Sequence, residues 1–271
     1  MPQRQSKILL GFLTAHHPSR WWYRVNARNS FLKDSPLDHV YVFGRTPVPD
    51  WPVKQISDEL WADCDDSREY MIHKDQALCQ YALDHGYEFL FRCCDDTFVH
   101  PQRLIDAGLE SYDYGGQMPC KICLGGMIKI WMRYFDYMHG GTGIWLSRKA
   151  MKMVVDAKFD SMVCDMPKVV DVGFGLTGAG HEVWWDDLAI GEILKGRLAW
   201  GDPLRAVPAD AYTANGIRVF EDEMLFFNPD PTRAISEHDP GVAKPTSKWI
   251  VDLMAQVRQR NMGVAAKEPT P

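Results

Sequence analysis

Two pairs of neighbouring carboxylates carry the sharpest chemical signal in this sequence. Asp95-Asp96 comes directly after the apolar run Tyr87 to Arg92 and the two cysteines that extend it, and Asp186-Asp187 precedes the run Leu188 to Leu194. Acids at the carboxyl end of a strand lie where open α/β sheets bind their ligands. Two side by side repel each other unless something neutralises them. A hard divalent cation, Mn²⁺ or Mg²⁺, does so, using one or two carboxylates together with substrate phosphates. The chemistry of such a site is nucleotide-sugar or phosphoryl chemistry, with the ion offsetting charge on a leaving group. The plainer alternative is capping: Asp95 and Asp96 close a turn, and an Asp ahead of Leu188 caps a helix, worth ~1 kcal/mol.

Other residues suit the same chemistry. Thr14, Arg24 and Arg28 follow or flank the first apolar run. Arginine is apt for a nucleotide or diphosphate, although surface ion pairs would use it equally well. The glycines from Gly140 to Gly143, Gly141 among them, would let a backbone approach a sugar closely, or they form a plain turn. Trp184 and Trp185 beside the second acid pair could stack on a sugar or fill the core. Cys120 and Cys123 have half the spacing of a zinc site, but no second pair completes it.

These residues need a scaffold. Lys7–Thr14 reads as a buried strand and Trp21–Leu32 as a helix. His39–Gly44 is a second strand, ahead of a proline-rich stretch ending at Pro52. Met71, Ala77, Leu78, Tyr81 and Ala82 fall at helical spacing between Tyr70 and His85, and Gly86 stops that helix. Tyr87–Arg92 is a third strand. A helix opens at Pro101 and runs to about Ser111. The glycine-rich turn at 140–143 leads into a strand ending at Ser147, with a helix from Arg148. Gly173–Gly180 reads as a loop. The alternation predicts an α/β fold with a largely parallel central sheet flanked by helices.

Six stretches resemble, in order, the fringe-like and beta-1,3-galactosyltransferase-like glycosyltransferases. Phe89 to Val99 is similar to their metal-binding segment: an apolar strand, a basic residue, three acids, a small residue, an aromatic and a valine. Here the first of the three acids is Cys94. Arg24 to Phe31 is similar to their Arg-x3-Arg-x-Thr-Trp helix, and Tyr41 to Gly44 to their second strand. Asp66, Met71 and Lys74 sit where the family has a spaced Asp, Leu and Lys. Tyr137 to Ser147 is similar to the Tyr-x-x-Gly-Gly-x-Gly segment, and Trp185 to Gly191 to the Glu-Asp-Val-x-x-Gly motif.

The resemblance spans Ile8 to His238 and implies a single GT-A-like domain. It also implies metal-dependent, inverting transfer of a sugar from a nucleotide-sugar, a UDP-sugar by likeness, to a hydroxyl acceptor. That acceptor is a glycan, a protein, a lipid, a small molecule or a modified base in DNA. On this likeness Asp96, with Asp95, touches the metal, and His238 is the late histidine brought to it. Asp187 is the base, with Asp186 the alternative. Thr14, Arg24, Arg28, Lys74, Asp95 and Gly141 face the donor. Replacing the first acid by Cys94 alters the nucleotide contact more than the metal. Two other functions compete: a metal-dependent phosphohydrolase or nucleotidyltransferase using the same Asp-Asp pair, and a non-catalytic carbohydrate-binding protein using its ten tryptophans.

Composition narrows these options. The chain has 271 residues, 46% hydrophobic and 24% charged. That suits one catalytic domain over 1–265, with a nucleotide-binding half at about 7–112, an acceptor half at about 113–265 and a flexible tail at 266–271. Thirty basic against 36 acidic residues leaves a net charge of −6, which disfavours a DNA acceptor. No apolar run approaches the ~18 residues of a membrane span. Seven cysteines without disulfide-framework spacing favour a reducing compartment. The expected location is the cytoplasm, or the Golgi lumen for a chain trimmed of an anchor.

Overall fold

A computed structural model of the protein describes residues 7–45, 58–67, 70–117, 138–157, 186–195, 216–221 and 235–238. The stretch 173–180, Cys120 and Cys123, Trp184 and Trp185, and the tail from 266 lie outside the described residues.

The first strand, β1 (Ile8–Leu13), is buried along its whole length. Its side chains alternate between two cores. Leu9 and Leu13 join one; Ile8, Leu10 and Phe12 join the other. A strand apolar on both faces belongs in the middle of a sheet covered by helices on both sides. β2 (Asp38–Gly44) and β4 (Phe89–Cys94) flank it, both parallel. β3 (Glu59–Ala62) extends the sheet beyond β2, again parallel. On the other side β7 (Ile144–Ser147) pairs antiparallel with β4. β6 (Tyr114–Gly116) and β8 (Val219–Glu221) follow. The order is β3-β2-β1-β4-β7-β6-β8, and only β7 opposes the other strands. This is the mixed, mostly parallel α/β sheet expected of a GT-A-like domain. A second, two-stranded sheet pairs β5 (Thr97–Val99) with β9 (Ser236–His238).

Helix α1 (Pro18–Arg28) covers one face, with Tyr23 and Ala27 buried against Phe12, Phe43 and Phe91. α3 (Pro101–Asp106) adds Leu104 to that core. The opposite face is covered by α2 (Met71–Asp84), α4 (Arg148–Asp156) and α5 (Asp186–Lys195). α2 sits close because β1 carries Gly11 beneath it; a Cβ there would overlap Leu78. No helix among the described residues is long and apolar enough to cross a membrane.

Element boundaries depart from the sequence expectations for local reasons. α1 starts at Pro18, three residues before the expected Trp21, because proline suits the first helical position. The third strand is displaced from Tyr87–Arg92 to Phe89–Cys94. Tyr87 is still part of the α2 terminus, its N–H donating to Ala82 O at 2.9 Å after Gly86 turns left-handed. The helix from Pro101 breaks at left-handed Gly108, and Leu109–Ser111 forms a separate 3₁₀ turn. Asp186 and Asp187 lie inside the first turn of α5 and do not precede it. Strands β3, β5, β6, β8 and β9 were not expected; three or four residues are too few to show a period.

Candidate active site

From β1 the chain moves to β2 and β3 on one side and to β4 on the other. The crevice beyond the carboxyl ends of β1 and β4 is therefore a topological switch point, where open α/β sheets bind ligands. Thr14 and Ala15 leave β1 there, and Asp95 and Asp96 leave β4; Asp95 N–H still donates to Leu13 O at 3.1 Å.

Asp95 and Asp96 are both buried. The Thr14 hydroxyl donates to Asp95 Oδ2 at 2.5 Å. Arg24 steadies that hydroxyl from Nη1 at 2.9 Å, and the same nitrogen lies 4.0 Å from Asp95. Arg20 donates from Nη1 to Asp95 Oδ1 at 2.7 Å and to Asp96 Oδ2 at 2.9 Å. Burial pushes the Asp95 carboxyl up to about 6, helped by Asp96 and opposed by Arg20, Thr14 and Arg24. For Arg20, burial alone would lower the guanidinium, but the two aspartates outweigh it and hold it charged. Cys94 stands in the place of a third acid. Burial, with Asp96 adding to it, pushes its thiol up to about 12, so the position is neutral.

The resemblance placed Asp66 and Lys74 together, and the structure gives them one task. Lys74 on α2 is buried and donates to Asp66 at 2.5 Å and to Thr14 O at 3.0 Å. Asp66 also accepts from the backbone N–H of His16 and, at 2.7 Å, from that of Gly44. One carboxylate and one ammonium thus fasten the ends of β1 and β2. Arg28, at the far end of α1, is committed elsewhere. It forms a two-bond pair with Asp58, both at 2.9 Å, reaches Glu59 at 3.3 Å and lies over the Tyr41 ring. It is not brought to the acid pair.

The second pair of acids is held from the opposite side. Arg92, inside β4, is buried and donates to Asp75 on α2 at 2.7 and 3.0 Å. The same guanidinium forms an ion pair with Asp186 through Nη2. Asp187 accepts from the Gly140 N–H at 3.1 Å. Gly140 is a close-approach glycine: a Cβ there would overlap Arg92 Nη1 and lie 3.2 Å from Asp187 Cβ. The next residue, Gly141, accepts from the Thr97 hydroxyl at 2.6 Å. One glycine turn therefore joins the segment after Asp96 to the first turn of α5. The pairing of β5 with β9 sets His238 opposite Thr97, one residue from Asp96.

Whether these residues suit a divalent cation is tested by Arg20. One positive nitrogen lies within 3 Å of a carboxylate oxygen from each acid, so the crevice is built around positive charge. Both oxygens of Asp95 are engaged, Oδ2 by Thr14 and Oδ1 by Arg20, and Asp96 Oδ2 accepts from the same guanidinium nitrogen. Among the described residues no three of His, Cys, Asp and Glu gather as a metal cluster. A cation there would draw further ligands from substrate phosphate, as Mg²⁺ and Mn²⁺ commonly do.

Arg20, Arg92 and Asp75 were not among the residues expected to shape the site. Two had a signal. Arg20 is four residues before Arg24, on the same helix face once α1 is known to begin at Pro18. Asp75 lies in the buried stripe of Ile72, Leu78, Cys79 and Ala82, where a charge requires a partner.

No protein-family model matches the sequence, and no curated protein matches it. Among solved structures, the chain is similar to the crystal structure of a glycosyltransferase involved in the glycosylation of the major capsid of PBCV-1. The identity is 10% and the TM-score 0.49, over 92% of this chain and 98% of that one.

Proposed function

We propose that this protein is a glycosyltransferase that moves a sugar from a nucleotide-sugar, a UDP-sugar by its motifs, to a hydroxyl acceptor with inversion. The observation that carries the reading is the Gly140-Gly141 turn. It bonds on one side to Asp187 and on the other to Thr97, which follows Asp96. An acid pair suited to the diphosphate and an acid suited to the acceptor thus share one support. The fringe-like motif order supports the same assignment.

Thr14, Arg20 and Arg24 surround the crevice where the diphosphate would lie, and Asp96, with Asp95 behind it and His238 alongside on β9, would hold a divalent cation. Bound there, Mn²⁺ or Mg²⁺ would offset charge on the departing nucleoside diphosphate. Asp187 accepts the acceptor's hydroxyl proton as that oxygen bonds to the anomeric carbon. The bond from that carbon to the diphosphate oxygen breaks on the opposite face, and the nucleoside diphosphate leaves with the electron pair. Asp186 is tied to Arg92, which leaves Asp187 as the better base.

Isothermal titration with UDP, with and without Mn²⁺, tests the donor side. UDP binding should require Mn²⁺ and disappear in Asp96→Ala. Asp187→Asn should keep UDP binding and lose transfer from a panel of UDP-sugars. Parental transfer rates in Asp187→Asn would refute the base assignment, and metal-independent UDP binding would refute the cation.

A further inference from the structure

Arg20 belongs to none of the motifs that carry the family likeness, yet one of its guanidinium nitrogens contacts both acids of the pair. Its Nη1 is 2.7 Å from Asp95 and 2.9 Å from Asp96, whose side chains are 1% and 6% exposed, while Arg20 itself is 31% exposed. A second arginine, Arg24, is buried behind Asp95 and anchored to Thr14 and to Ala15 O. The two arginines therefore differ in kind. Arg24 is locked in by its neighbours. Arg20 reaches in from the first turn of α1, its guanidinium also 5.8 Å from the Tyr23 ring, and it is the one with a path to solvent.

We propose that Arg20 is a resident counter-ion that occupies the place of the divalent cation and must leave the acid pair when that cation binds. The inference rests on the cation reading above. Its physical basis is exclusion: Asp95 Oδ1 and Asp96 Oδ2 cannot hold a guanidinium nitrogen and a metal ion at the same point. A tethered single charge also compensates two buried carboxylates only in part. Without the cation, Arg20 keeps the crevice folded and its acids ionised. With the cation, a guanidinium is released beside a site meant for diphosphate, an anion it suits. The proposal predicts an unusual sign: deleting a positive charge from a nucleotide site should strengthen metal binding.

The test measures Mn²⁺ alone, by the paramagnetic resonance signal of the free ion, on the full chain without nucleotide. Arg20→Gln should bind Mn²⁺ about tenfold or more tightly than the parent, because its competitor for the same oxygens is gone. Arg20→Lys, which keeps the charge, should bind like the parent. Arg20→Met, which keeps an unbranched stem without the charge, is the second neutral variant and should match Arg20→Gln. Both neutral variants should melt at lower temperature than the parent without metal and recover with Mn²⁺. Equal Mn²⁺ affinity across parent, lysine and neutral variants would overturn the counter-ion role and leave the cation reading standing. Weaker binding in folded neutral variants would also overturn it, since Arg20 would then assist the ion. If no protein binds Mn²⁺, even with UDP added, the cation reading itself falls and this proposal with it.

Discussion

Asp75 and Arg92 are both 1% exposed and joined by two hydrogen bonds of 2.7 and 3.0 Å. Replacing Asp75 by leucine would leave the Arg92 charge in the core with only Asp186 paired to it and Asp187 acting from further off. Breaking a buried pair from one side costs about 3–5 kcal/mol, a large share of the roughly 5–15 kcal/mol that holds a domain folded. For a chain of this size the melting temperature should fall by about 6–20 °C, at about 2–4 °C per kcal/mol. The double variant Asp75→Leu/Arg92→Met should regain most of the loss, because the penalty belongs to the uncompensated charge and two apolar groups remove it. Transfer should stay low in the double variant, since α5 has lost the tie between Arg92 and Asp186. Urea unfolding of the parent, both singles and the double gives the coupling energy, and transfer is assayed on the same samples. A double variant as unstable as Asp75→Leu would refute the charge argument. Parental activity in the double would refute the positioning of α5 by Arg92.

Two further perturbations read other parts of the fold. Gly140→Ala meets no left-handed backbone, so its effect is steric: the new Cβ overlaps Arg92 and crowds Asp187. It should cost about 1–3 kcal/mol and lower kcat by about 100-fold with UDP affinity retained, measured by denaturation and steady-state kinetics; a parental kcat would show that the turn does not hold the base. Burial alone would raise Asp58, but hydrogen bonds from His39 and Arg28 outweigh it and hold it at about 2, below its ordinary 3.8. Its contribution to stability is therefore complete above its ordinary value and lost as pH falls through about 2. Arg28→Met should remove up to about 2 kcal/mol at neutral pH and flatten the loss of stability on acidification from pH 4, followed by circular dichroism.

Sequence by itself determined the scaffold and the position of the acids. β1, β2, β4 and α2 were legible because each is a long enough run to show its period, and the stop at Gly86 and the start at Pro101 are local backbone chemistry. Asp95-Asp96 could be placed at the end of β4 for the same reason. Tertiary structure alone decided which charges meet. Asp95 takes its partners from Thr14 and Arg20, and Arg92 is shared between Asp75 and Asp186. A sequence shows that a buried charge needs a partner, but not which one, because the pairing is made across strands and helices that are distant along the chain. The same holds for β5 and β9, whose three-residue pairing sets His238 opposite Thr97. Strands that short have no periodicity of their own, and they exist only because the larger sheet brings their backbones within hydrogen-bonding distance.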